Sequence, residues 1–147
     1  MRRKVAAALV VALALALAGC GGSEKPEVVS RAEAVQRLEA ACRAGQRAAR
    51  TRLGGRPDAT AFVFAMRDNL DTIVDRVGNV EVSGGGDADF AAYMRTVQRR
   101  LDAIDTITEA DRSDWQSAIA AERRTFETAT DAAHEAIVGL GAWHLCV

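Results

Sequence analysis

The chain predicts an all-α fold, a four-helix bundle in up-down-up-down order, on three observations. Four segments repeat apolar residues at alternating spacings of three and four. Polar capping residues open them, and glycine or polar runs close them. The connections are short, as between neighbouring antiparallel helices.

Ser30-Arg31-Ala32-Glu33 has the spacing of a capping box and starts the first helix. Val35, Leu38, Cys42, Gly45 and Ala49 then form its stripe, which ends near Leu53. Gly54 to Asp58 is a turn, with Asp58 as the next cap. The second helix carries Phe62, Met66, Leu70, Ile73 and Val77 on one face, with Val63 and Val74 beside it. Gly78 and the run Ser83-Gly84-Gly85-Gly86 bound a loop in which Val80 and Val82 suit one short extended piece.

Asp87 or Asp89 caps the third helix, whose stripe is Phe90, Met94, Val97, Leu101 and Ile104. After a polar connection over 108–113, a long fourth helix presents Trp115, Ile119, Phe126, Ala129, Ala133, Ile137 and Leu140. Each stripe covers about a third of a helix circumference, the pattern of helices facing a shared core. Alanine-rich inner positions on the first and fourth helices lead us to expect close packing between those two.

The first twenty residues have a different character. Arg2, Arg3 and Lys4 precede an unbroken Val/Ala/Leu run from Val5 to Ala18, too short for the roughly 20 residues of a bilayer-spanning helix. The run closes on Leu17-Ala18-Gly19-Cys20, which resembles the lipobox of bacterial lipoproteins. That resemblance covers only the export segment. It implies cleavage before Cys20, diacylglycerol on the Cys20 sulfur, and attachment to the extracytoplasmic face of the cell membrane by two or three acyl chains. An ordinary secretory cut after Ala16-Leu17-Ala18 is the alternative. The expected organisation is therefore a signal peptide over 1–19, a lipidated cysteine and tether over 20–29, and a helical bundle over 30–147.

Removal of the leader leaves 128 residues, enough for one domain with one core. The remaining 16 basic and 20 acidic residues give a net charge of −4, which argues against a nucleic-acid partner. Among the 19 basic residues only Lys4 and Lys25 are lysines. With the heavy alanine usage, this composition resembles that of a GC-rich bacterium such as an actinobacterium. The lipobox with the cysteine pair gives a resemblance to the small lipoproteins of such bacteria.

The three cysteines are Cys20, Cys42 and Cys146. If lipid consumes Cys20, an even pair remains outside the cytoplasm, where it is free to oxidise. Cys42 lies about 18 Å along the first helix. Gly139 and Gly141 release the chain at the end of the fourth helix, and five extended residues to Cys146 reach roughly 17 Å. A folded-back tail pinned by Cys42–Cys146 fits this geometry. Closing a loop of about 100 residues is worth roughly 4–5 kcal/mol in the chain-entropy model. Two buried free thiols are the alternative.

Few residues invite chemistry. Glu122 falls inside the apolar stripe of the fourth helix, where a bare carboxylate is costly. It reads as a pocket carboxylate, as one member of a bundle-edge ion pair, or as a position open to solvent; the ion pair or open position is favoured. Asp131 and His134 have a spacing used in metal-binding bundles, but the further ligands such sites need are missing, and a solvated histidine is expected. Arg43, Arg47 and Arg50 share one face of the first helix, and Asp68, Asp71 and Asp75 one face of the second. Residues 31–56 sum to +5 and residues 57–90 to −5, a polarity suited to solvated faces and cross-helix pairing, with partner docking open. The sequence carries no GxSxG, phosphate loop or catalytic Cys–His pair, and we expect neither an enzyme nor a cofactor.

The expected role is a lipid-anchored binding or interaction module of the cell envelope, partnered by the membrane and an envelope protein. The alternative is a carrier or sensor of a small apolar ligand or haem. A carrier would show a cavity lined by Phe62, Met66, Phe90, Met94 and Trp115, and His134, His144, Met66 and Met94 are the residues able to ligate haem iron.

Overall fold

The structure, a computed structural model, describes residues 25–55, 58–84 and 87–142. Its elements are strand β1 (Glu27–Val29), helices α1 (Arg31–Leu53) and α2 (Ala59–Val77), strand β2 (Val80–Val82), and helices α3 (Ala88–Glu109) and α4 (Trp115–Leu140). The molecule is mostly helical. The leader, Cys20, Trp143, His144 and Cys146 lie outside the described residues.

The helix boundaries follow from capping chemistry. The Ser30 hydroxyl accepts from the Glu33 N–H at 3.2 Å, and the Asp58 carboxylate accepts from the Ala61 N–H at 2.7 Å. Asp87 accepts from the N–H groups of both Asp89 and Phe90. Asp114 makes no side-chain cap. Instead the Trp115 indole N–H donates to the Ala110 carbonyl at 3.1 Å, fixing the entry to α4. Gly141 ends α4 in the left-handed region at φ 75°, where its N–H meets the last-turn carbonyls of Ile137 and Val138.

Residues 27–29, within the expected tether, are a strand. They pair in parallel with β2 in the register Glu27↔Val80, Val28↔Glu81 and Val29↔Val82. The Glu27 N–H donates to the Asn79 carbonyl at 2.9 Å, and the Ser83 N–H to the Val29 carbonyl at 2.8 Å. Period-two alternation turns Val29 and Val82 into the core and leaves Val28 in solvent. Arg37 of α1 clamps the strand by donating to both Glu27 carboxylate oxygens at 2.6 and 2.7 Å, which holds the Glu27 carboxyl below its ordinary range.

α1 packs chiefly on α2, and α4 chiefly on α3, with α2 and α3 also in contact. The alanine-rich faces of α1 and α4 therefore do not make the close mutual pair that the sequence suggested. The tightest approach shown is between α1 and α2, at Gly45. A Cβ there would lie 2.6 Å from the Asn69 carbonyl oxygen and 3.2 Å from its Cα. At the shared end of three helices, Arg31 of α1 reaches Asp87 at 2.6 Å and donates to the Gly139 carbonyl of α4 at 2.7 Å.

α3 is the most deeply covered helix. Tyr93, Val97 and Ile104 are wholly or almost wholly removed from solvent. Met94, which the sequence placed in the stripe, is only half-buried, and Tyr93 takes the inner position. Burial rather than spacing raises the Tyr93 hydroxyl above its ordinary pKa.

Gly45→Ala should destabilise the fold by about 1–3 kcal/mol through overpacking against the Asn69 backbone, opposing the roughly 1 kcal/mol that helix propensity alone would gain. Chemical denaturation of both proteins checks this, and a stabilised variant would show that α1 and α2 do not approach so closely.

Candidate functional site

An apolar concavity opens where the first turns of α2, the last turns of α3 and the first half of α4 meet. Phe62 and Met66 of α2 form one wall and Ile119 and Phe126 of α4 the other, over a floor of Ile104 and Ile107 from α3. The volume is about 600 Å³. Phe62 is 52% exposed and Ile119 37%, and with Val28 they are the exposed large apolar side chains among the described residues. Two of those three thus sit together in one groove. Nearby, outside the groove, Trp115 leans on Phe64 with ring centroids 6.0 Å apart, and the Arg52 guanidinium lies over the Phe64 ring.

The rim is charged. Asp58, Glu122, Arg123 and Glu127 line it, and Arg123 pairs with Glu127 at 2.7 Å. Asp58 is engaged as the α2 cap. Glu122 is half-buried and makes no ion pair or side-chain hydrogen bond among the described residues. It is therefore the open groove-edge position, and not the ion-paired one, of the readings the sequence allowed.

The other sequence candidates lie elsewhere. Arg43, Arg47 and Arg50 are exposed on α1, with Arg43 3.7 Å from Glu39 on the same helix. Asp68 pairs with Arg52 across helices, while Asp71 stands 4.0 Å from Arg67 on its own helix. Burial raises the Asp71 carboxyl above its ordinary range despite the neighbouring Arg67. Arg67 bonds chiefly to Asp105 of α3 at 2.6 Å. Among the described residues one ion pair, Arg52–Asp68, joins the basic face of α1 to the acidic face of α2, while Arg43, Arg47 and Arg50 stay on an exposed face. Asp131 and His134 are exposed, and no cluster of three metal-ligating side chains occurs among the described residues.

Cys42 is buried on α1, its sulfur 4.0 Å from the Tyr93 hydroxyl. The five residues proposed to line a carrier cavity do not share one. Phe62 and Met66 line the groove, Phe90 is buried near the opposite end of α3, and Trp115 lies against Phe64.

Arg100 was missed by the sequence reading. It is 6% exposed within α3, and its Nε and Nη2 groups are buried with no acceptor among the described residues. The Arg100 charge beside Tyr93 counters part of the burial effect on that hydroxyl. Its spacing from Val97 and Ile104 was the available signal, since three and four residues keep it on their face. A guanidinium stays charged in a protein, so unmet donors carry a desolvation cost of about 1–3 kcal/mol.

No helix among the described residues is long and apolar enough to cross a membrane. No family model, curated protein or solved structure matches the chain.

Arg100→Met keeps most of the side-chain volume and removes the unmet charge, so it should raise stability by about 1–4 kcal/mol. Thermal unfolding of the two proteins decides the matter. A lower melting temperature would mean that Arg100 holds an acceptor worth more than its desolvation.

Proposed function

We propose that this protein is a lipid-anchored helical binding module on the extracytoplasmic face of a bacterial cell membrane, with the apolar groove as its binding face. The observation that carries the binding assignment is the clustering of exposed Phe62 and Ile119 in one concavity of about 600 Å³. Apolar side chains gathered this way lose solvation free energy that an occupant would recover. The anchor rests on Leu17-Ala18-Gly19-Cys20 and the apolar run before it.

In the proposed topology the four helices run up-down-up-down. Several contacts support it: Gly45 lies against Asn69 and Arg52 over Phe64, which runs α1 against α2, while Arg31 meets both Asp87 and Gly139. The tether then joins β1 beside the end of α2, whereas the groove uses the first turns of α2. With 19 residues, that helix separates the two by about 28 Å. The binding face is directed away from the anchoring membrane.

The C-terminal tail, in this reading, folds back and bonds Cys42 through Cys146. Arg31 brings the last turn of α4 to the first turn of α1, and Ala142 is already buried. Cys42 lies eleven residues beyond Arg31, about 16 Å along the helix. The five residues from Gly141 to Cys146 span that distance when extended.

A second reading, a carrier of a small apolar molecule or haem, draws support from the groove's size, which falls in the usual range for ligand sites. Of the haem ligands considered, Met66 lines the groove and His134 is exposed two turns beyond Phe126. We assign no catalytic activity.

The test is to recover the full-length protein from the membrane fraction of its host. Intact mass should show a diacylglyceryl adduct on Cys20, and non-reducing peptide mapping a linked Cys42–Cys146 pair. Envelope proteins cross-linked to the wild type should be lost with Phe62→Ser, whose exposed site should alter stability by no more than about 0.5–1 kcal/mol. An unmodified chain starting at Gly19 would refute the anchor. Equal cross-linking by both proteins would refute the groove.

A further inference from the structure

We infer that the groove receives an amphipathic α-helix of a partner protein, apolar on the side it inserts and flanked by Lys or Arg. The inference rests on the groove being the binding face, and it names the occupant's chemistry.

Shape comes first. The groove runs between two helices over a third, the setting in which a further helix can lay an apolar stripe. Along the α4 wall, Ile119 and Phe126 are seven residues apart, about 10.5 Å. An inserting helix presents its own apolar residues at that same seven-residue repeat. On the facing wall Phe62 and Met66 are one turn apart, so each side offers ridges between which such side chains can seat.

Charge selects the flanks. Arg123 and Glu127 neutralise each other, which leaves the two carboxylates of Asp58 and Glu122 uncancelled on the described rim. Asp58 already accepts from a helix N-terminus, whereas Glu122 has no such engagement among the described residues. A half-buried carboxylate beside apolar surface gains most from a cation placed next to it, and an acidic flank would be repelled there.

One rival occupant fits less well. A second copy would need an apolar stripe of its own, yet outside the groove the exposed large apolar residue among those described is Val28 alone.

The experiment places the full-length lipoprotein in phosphatidylcholine nanodiscs, with empty nanodiscs as the blank. Two labelled fourteen-residue helical peptides share one Leu/Phe stripe, one flanked by Lys and Arg and the other by Glu. Fluorescence anisotropy should give about fivefold tighter binding of the basic peptide, the scale of one or two partly exposed charge pairs. Glu122→Gln should shrink that preference with no change in melting temperature, and Phe62→Ser should weaken both peptides. Equal affinities, or a preference for the acidic peptide, would overturn the charge inference while leaving the groove in place. Uptake of 1-anilinonaphthalene-8-sulfonate that Phe62→Ser abolishes, with neither peptide bound, would make the occupant a small molecule and overturn the helix. Self-association of the unliganded protein that Phe62→Ser abolishes would make it a second copy. Binding of every probe unchanged by Phe62→Ser would remove the groove itself as the site.

Discussion

Helix α3 cannot be left wet on either of two sides. Phe90, Tyr93, Val97, Leu101 and Ile104 are buried, and so are Thr96, Arg100, Ala103 and Ile107. Burying a large apolar side chain is worth about 1.5–3 kcal/mol, so covering this helix dominates the free energy available to a domain of this size. α2 covers it from one direction and α4 from another, while Cys42 of α1 meets Tyr93. The polar groups that accompany this covering are tied off locally. The Thr96 hydroxyl, for example, donates to the Tyr93 carbonyl at 2.6 Å. Arg100 is the exception, a charge drawn inside because its position on the helix faces the core.

The groove is the place where that covering is incomplete. At the end holding Arg31, Asp87 and Gly139, polar contacts tie α1, α3 and α4 together. At the other end the first turns of α2 and the first half of α4 stand apart over Ile104 and Ile107. An apolar floor with part-exposed walls costs stability in an isolated molecule and favours occupation by something apolar. Under the proposed lipid anchor and up-down topology, that opening would lie far from the membrane, where the domain could offer it to proteins of the envelope.

The helices were legible because each boundary is written in a few adjacent residues. Ser30, Asp58 and Asp87 cap as their residue types dictate, and Gly141 takes the positive φ that ends α4. Strand β1 was hidden because three residues carry almost no periodicity, and its partner Val80–Val82 lies more than fifty residues away. The exchange of Met94 for Tyr93 and the burial of Arg100 share one cause: the buried face of α3 runs through Tyr93, Val97, Arg100 and Ile104, turned from the stripe drawn through Met94. The walls of the groove lay within the sequence stripes of α2 and α4, while Ile107 of its floor lay beyond the stripe drawn for α3. Its existence depends on the separation of α2 from α4, a tertiary distance that no local pattern encodes. Glu122 was the one residue whose position signalled it, as a carboxylate within an apolar stripe.

Whether α2 and α4 stand apart in solution can be read directly by methyl NMR of isoleucine-labelled protein with a soluble paramagnetic agent. The structure predicts strong relaxation enhancement at Ile119 and little at Ile73 and Ile137, which are 37%, 1% and 1% exposed respectively. An Ile119 methyl as protected as those of Ile73 and Ile137 would mean that α4 closes onto α2, that no groove is open, and that the binding face proposed here does not exist.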